Sequence, residues 1–411
     1  MPKIKPFKGI HPVNNFAGKV VLNLENLSLS EAKHIREKNP YSYVNMLVPK
    51  LDNIFLLGSK NDLAYKKINE NFEEFLDQGI LYRDPEPSIY IYQIITNGLS
   101  QTGVWTTTSI DDYLNNVVKK HEHTRADREQ SLIYYLQETG IDANPVLITY
   151  EGIEEIDHII SKILLLAPDI SYAKAQSQHN LWIVNQTEII KSIVNLFDGL
   201  SGSYIADGHH RAAAASLYGI QRRKLNLKHR GDEDYNFFTS VYMSTDQLKI
   251  FAFHRLINNL RGFSVPEFLE KIKIYFNLRS SEQPVLPTQL HTFGMYISGQ
   301  WYYLDFKLEF LSNESPVDEL DVHIIQEYIF SRILKIFDPR TDTGIDFFPG
   351  TLPIDELIKK VDQKEFVAGI TLFPTGIEQL MRVADEGEVM PPKSTWFEPK
   401  FDVGLLIHYL S

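Results

Sequence analysis

Cysteine is missing from all 411 residues. That removes disulfides, thiolate nucleophiles and cysteine-ligated zinc from consideration. No apolar run approaches the ~18 residues that a membrane-spanning helix needs, so no such span is expected. The opening "MPKIKPFKGIHP" lacks the apolar stretch of a secretory signal. Excess basic charge is missing too, since the formal net charge is -12. The basic residues gather only at Arg222-Arg223-Lys224 and Lys228-His229-Arg230, a patch that reads as a solvated loop rather than a nucleic-acid face. There is no internal repeat and no low-complexity tract. The expectation is a cytoplasmic protein that binds neither nucleic acid nor membrane.

What the chain has is an ordinary globular composition, 43% hydrophobic and 23% charged, with length for two or three domains. "SLSEAKHIREKNP" opens with a capping box at Ser28 and Glu31 and ends at Pro40, which predicts a helix. Leu63, Ile68, Phe72, Phe75 and Leu76 recur at helical spacing. "SIYIYQIIT" and "GVWTTTS" predict a strand and its hairpin partner. Ile110, Tyr113, Leu114, Val117 and Val118 mark one helix face behind Ser109. From 145 to 219, strands "PVLITYE", "NLWIV" and "SYIA" alternate with helical stripes, the pattern of an α/β layer. Further on, "FGMYISGQWYYLDF" predicts a hairpin around Ser298-Gly299. A helix follows from about Asp321 to Ile336, then strands "GIDFFPG" and "FVAGITLFP", and a last helix at about 375–385. Gly and Pro at 262–266 suggest a domain boundary.

The segment "SYIADGHHRAAAA" (203–215) packs Asp207, Gly208, His209, His210 and Arg211 between a strand and an alanine run. Alanines make a strong helix whose start can lie close to a ligand, and Gly219 offers a C-cap. A helix start presents unpaired amides and partial positive charge, which favour an anion and above all a phosphate. Arg211 adds a planar fork and the two histidines add donors of adjustable charge. Gly208 permits close backbone approach. The spacing therefore reads either as a phosphate cradle or as a capped helix whose polar residues are merely solvated.

"KKHEHTRADRE" (119–129) crowds His121, Glu122, His123, Thr124, Arg125, Asp127 and Arg128 together. A carboxylate among histidines suits a general base or a magnesium ion. His121 and His123 share a face on an extended chain, which with His209 or His210 allows a transition-metal site; a solvated helix end is the plain alternative. "MPPKSTWFEPK" (390–400) holds three prolines, two lysines and two large aromatics. Lys393 and Ser394 suit donation to a phosphate, and a rigid loop packing Trp396 and Phe397 suits the same residues. Asp338, Asp342 and Asp346, four apart, lack EF-hand spacing and read as turns.

Taken in order, "KPFKGIHP", "HEHT", "HNLWIV", "DGHHR", "FHR" and "MPPKSTWFEPK" resemble the bacterial and archaeal family known as domain of unknown function 1015. They span nearly the whole chain, and the fourth and sixth are the specific ones. The chain departs from the family near position 22, where "KVVLNLENLS" replaces a Pro-Pro-Tyr-Asp segment, so that segment's role is not carried over. "HE" followed by "DGHHR" also resembles the free L-serine kinases of the ParB and sulfiredoxin-like superfamily. That resemblance implies Glu122 as base for a substrate hydroxyl, with Asp207 and His210 beside it in catalysis. It implies Gly208, His209 and Arg211 at the nucleotide phosphates, with Lys393 and Ser394 closing over them. His121, Thr124 and Trp182 are then the expected substrate residues.

The expectations are a mixed α/β protein with a ParB/sulfiredoxin-like nucleotide-binding core at 106–262, an N-terminal region at 1–105 and a C-terminal region at 263–411. The implied activity is phosphorylation of a small hydroxyl compound, free L-serine, by ATP or ADP with Mg2+. A nucleotide-binding switch without phosphotransfer and a metal-dependent hydrolase are the alternatives. Expected partners are the nucleotide and an amino acid, with self-association into a homo-oligomer left open.

Overall fold

In the computed structural model, which describes residues 2–25, 27–47, 59–312 and 314–410, the fold is mixed α/β. The chain divides into two units: Met1–Lys119 with Thr124–Leu248 and Pro399–Ser411, and Lys120–His123 with Lys249–Glu398. The three regions expected from the sequence therefore merge differently. The hairpin Ile89–Thr96/Leu99–Ser109 pairs outward with Ser177–Val184 on one side and Phe237–Ser244 on the other, so residues before 105 share a sheet with those after it.

That first sheet runs Val118–Lys119, Ser203–Asp207, Val146–Tyr150, Phe237–Ser244, Leu99–Ser109, Ile89–Thr96, Ser177–Val184 and Ile170–Lys174, with Ile4–Lys5 added to Leu99–Ser109. Most pairs are antiparallel. The parallel ones are Ser203–Asp207 with Val118–Lys119, and Phe237–Ser244 with Val146–Tyr150. The hairpin turns at Asn97-Gly98, both at positive φ, as a two-residue turn matched to strand twist requires. The striped helices Glu154–Leu164 and Thr187–Phe197 bury Ile156, Ile160, Ile193 and Phe197 with Ile91, Val104, Ile148 and Ile205 of the sheet. A second core joins Ile10, Phe72, Ile141 and Ile407.

The second unit is built on an antiparallel sheet ordered Phe276–Ser281, Gln300–Phe306, Thr292–Ile297, Ala368–Thr371, Phe253–Ile257 and Ile345–Pro349. Its hairpin turns at Ser298-Gly299 as the sequence predicts. The unit begins at Lys249, so Gly262–Pro266 is not a boundary. It leads instead into the helix Val265–Tyr275, whose N-cap Ser264 forms a capping box with Glu267.

Local caps came out as read at Ser28–Glu31. Elsewhere two helices change length. The helix behind Ser109 stops at Leu114, and Val118 is drawn into the sheet beside Ser203. The alanine helix does not end at Gly219 but runs His209–Leu225. Gly219 lies inside it because a Cβ there would come within 2.4 Å of Ile110 and 2.5 Å of the Tyr235 carbonyl, so the missing side chain is a packing requirement.

Candidate functional site

The "DGHHR" segment is a strand-to-helix corner. The strand Ser203–Asp207 is hydrogen-bonded on both sides, and its register against Val146–Tyr150 slips by one residue at Ala206. A bulge of this kind bends a strand and re-aims the next side chain, here Asp207. Gly208 then takes φ 100°, a left-handed conformation that L side chains rarely adopt. A Cβ on Gly208 would also sit 2.8 Å from the Arg211 guanidinium. The helix begins at His209, and Ala212 to Ala215 are buried against the sheet and its neighbours. Small side chains allow that close approach.

Arg211 faces back into the framework. Its guanidinium donates to Asp207 Oδ2 at 2.7 Å, to Asn144 Oδ1 and to the Pro145 carbonyl. The fork expected at a phosphate thus pins the corner to the segment entering Val146–Tyr150. Asp207 stays ionised. Burial works to raise its pKa, but Arg211, then Lys400 and His209, outweigh it and hold the carboxyl at about 2. Lys400 Nζ lies 3.7 Å from Asp207 Oδ1.

A second helix start meets the first. The helix Ala126–Thr139 has Arg125 as N-cap, with no side-chain cap. The Arg125 amide donates to His210 Nδ1 at 3.3 Å. Roughly three turns along, the Gln137 side chain donates to Gln221. Contacts at matching positions mean that the two helices run parallel, with both N-termini at one end. Aligned dipoles side by side repel, and an anion at their shared positive end relieves that repulsion. His210 is an acceptor at Nδ1, so its neutral ring carries the proton on Nε2. Burial, then Arg128 and Arg125, lower its pKa against the opposing pull of Glu129 and Asp127.

The corner unit thus gathers Asp207, Gly208, His209, His210 and Arg211, with Thr124 in the loop just before Arg125. His121 and Glu122 belong to the other unit. There the His121 carbonyl accepts the Met390 amide at 2.8 Å, its ring lies 6.5 Å from that of Phe397, and Glu122 adds to the charge around Arg340 after Asp338. Lys393 and Ser394 belong to that unit too. The Lys393 ammonium lies 5.0 Å over the Phe253 ring, and its carbonyl accepts from Arg255 at 3.2 Å. Buried Ser394 donates to the Pro391 carbonyl. Three of the quoted motifs, "HEH", "FHR" and "MPPKSTWFE", are therefore assembled together in one unit.

Trp182, expected as a substrate residue, lies in the core. It is 5% exposed, sits in the core of the first sheet, and its indole N–H donates to the Leu166 carbonyl at 2.9 Å. Among the described residues no group of three His, Asp or Glu side chains is arranged to hold a metal ion. Asn144, Arg125 and Lys400 were not singled out as site residues from the sequence. Lys400 ends the quoted "MPPKSTWFEPK", but only the fold carries it to Asp207. No described helix is long and apolar enough to cross a membrane.

The model of a family described as "Protein of unknown function (DUF1015)" matches residues 4–323. No curated protein matches the chain. Among solved structures, a free serine kinase in complex with AMP is similar at 15% identity and TM-score 0.35, covering 74% of this chain and 92% of that one. A conserved hypothetical protein from Pyrococcus furiosus is similar at 15% identity and TM-score 0.35, covering 74% and 95%. SbnI with C-terminal truncation from Staphylococcus aureus is similar at 11% identity and TM-score 0.36, covering 74% and 87%.

Proposed function

The chain belongs to the DUF1015 family, and on that premise we propose that it is a nucleotide-dependent phosphotransferase acting on a small hydroxyl compound. The observation that carries this reading is the convergence of two parallel helix N-termini at His210 and Arg125, beside an ionised Asp207. Such a corner suits the phosphates of ATP or ADP: first-turn amides and the His210 Nε2–H donate to phosphate oxygens, and Gly208 lets the nucleotide lie against the backbone. Arg211 serves as a positioning residue that fixes the corner.

The free L-serine acceptor rests on the "HE" and "DGHHR" resemblance. In that reading Glu122 takes the hydroxyl proton, the hydroxyl oxygen attacks the terminal phosphorus, and the bond to the bridging oxygen breaks. The products are O-phosphoserine and ADP or AMP. Phosphoryl transfer depends on positioning and charge stabilisation, which suits a site built from amides and fixed charges. Magnesium customarily accompanies nucleotide phosphates. Asp207 is one carboxylate already shared by Arg211 and Lys400, so the corner does not fit a magnesium ion held by protein alone, and no step is assigned to one.

A nucleotide-binding switch without transfer is the second reading. It requires only the phosphate-holding corner and no base for a substrate hydroxyl. One experiment separates them: incubation with ATP or ADP, magnesium and L-serine, product detection by mass spectrometry, and ADP titration of wild type and Glu122→Gln. A kinase yields O-phosphoserine, and Glu122→Gln lowers turnover ~10²-fold or more while ADP affinity is kept. ADP binding with no O-phosphoserine formed supports the switch.

A further inference from the structure

We propose that Arg255 anchors a second ligand site, within the second unit, that takes the carboxylate of a small molecule. The proposal stands apart from the nucleotide reading of the corner. Arg255 is the arginine of "FHR", a motif that neither the corner nor the proposed transfer uses. Side chains alternate along the strand Phe253–Ile257, so Phe253 and Arg255 share one face. Phe347 stands directly opposite Arg255 on Ile345–Pro349, and the guanidinium lies 4.8 Å over its ring. Asp346, the neighbouring acid on that strand, is opposite Leu256 and belongs to the other face.

The guanidinium is a buried cation without a counter-ion. Arg255 is 3% exposed. It donates to the Phe253 carbonyl at 2.7 Å and to the Lys393 carbonyl at 3.2 Å. Both acceptors are neutral, and among the described residues no carboxylate pairs with it. Burial pulls its pKa down to about 9 with no anion to oppose the shift, so the group is still charged at neutral pH. A charge held out of water without a partner is costly. The two carbonyls fix the plane of the guanidinium and leave part of its fork of donors unused. A carboxylate fits such a fork with two parallel bonds, and its single negative charge cancels the single positive one. Access follows from what lies around the group. Phe347 is half-buried and Lys393 is exposed, so Arg255 is one side-chain layer below the surface. The Lys393 ammonium stands 5.0 Å over the Phe253 ring, and a second positive charge thus borders the same face.

The test is thermal unfolding of the full chain with acetate, with acetamide and with inorganic phosphate at constant ionic strength, for wild type, Arg255→Gln and Arg255→Lys. Acetate is expected to raise the wild-type Tm saturably, as a ligand of the folded state does. Acetamide has the same shape without the charge and is expected to leave Tm unchanged. Arg255→Gln is expected to lose the acetate response. Arg255→Lys keeps the charge without the fork and is expected to bind acetate about tenfold more weakly. Hydrogen exchange of wild type needs no variant, and acetate is expected to protect residues 253–255 and 391–395. An equal response of wild type and Arg255→Gln overturns the proposal, as does protection confined to other segments. A response to phosphate but not to acetate overturns the carboxylate assignment. A wild type with no saturable response to acetate overturns the site itself, and none of these outcomes bears on ADP binding at the corner.

Discussion

His210 Nδ1 accepts the backbone amide of Arg125 at 3.3 Å, and this one bond joins the starts of two parallel helices. It satisfies the amide of the N-cap residue, while the Arg125 side chain offers no acceptor to the first-turn amides. It also fixes the ring as a neutral donor at Nε2, where a phosphate oxygen is an acceptor. Replacing His210 with Ala should therefore weaken ADP binding and fray the start of Ala126–Thr139. Hydrogen exchange would show faster exchange at the Arg125 amide and the first turn after it, by about the 0.5–1.5 kcal/mol of one hydrogen bond. Unchanged exchange there would mean that the bond contributes nothing.

Arg211→Ala removes contacts to Asp207, Asn144 and Pro145 at once. The expected loss is about 2 kcal/mol or more in urea unfolding, because Asp207 and the Pro145 carbonyl lose their principal partner. Lys at this position reproduces the charge but not the fork, so Arg211→Lys should recover only part of it. Full recovery would show that the charge alone matters.

Gly208→Ala tests the corner's backbone. At φ 100° with the Arg211 guanidinium 2.8 Å from the new Cβ, the substitution combines conformational strain with a clash. A loss of about 1–3 kcal/mol is expected from thermal or urea unfolding. Wild-type stability in the variant would contradict the left-handed geometry.

Acid sensitivity has an identifiable source in the second unit. His254 accepts the Leu372 amide at 3.2 Å, and burial, helped by Arg255, lowers its pKa to about 4. The folded value lies below the unfolded one, near 6.5, so the unfolded chain takes up the proton first. The stability associated with neutral His254 is fully present above about pH 6.5 and is lost as pH falls toward 4, by about 3 kcal/mol. His254→Asn should flatten that limb of the stability–pH curve. An unchanged limb would assign the acid sensitivity elsewhere.

Trp182→Phe should cost about 1–2 kcal/mol through the lost indole bond to Leu166 and a small core void, without changing ADP affinity. Loss of ADP affinity at unchanged stability would place Trp182 at the nucleotide instead of in the core alone.

Much of the architecture was legible because it is local. The aromatic run at 89–96, the Ser298-Gly299 turn, the Ser28–Glu31 box and the strand-corner-helix at 203–215 each carry their own signal within a few residues. What was not legible depends on distant partners. Gly219 reads as a helix end until Ile110 and Tyr235 are seen against it. Arg211 reads as a phosphate ligand, and no spacing in the sequence shows the contacts to Asn144 and Pro145 that hold its guanidinium. Trp182 stands in a motif-like run, but the alternation that would have shown it to be buried depends on which strands flank it. Lys400 reaches Asp207 across nearly half the sequence, and no spacing rule connects them.

The central claim is that the paired helix starts bind nucleotide phosphates, and hydrogen–deuterium exchange with and without ADP and magnesium tests it most directly. The account predicts protection concentrated in two separate segments, 125–128 and 208–212, with adenosine giving little there. Saturable ADP binding that leaves both segments exchanging as in the free protein would contradict it.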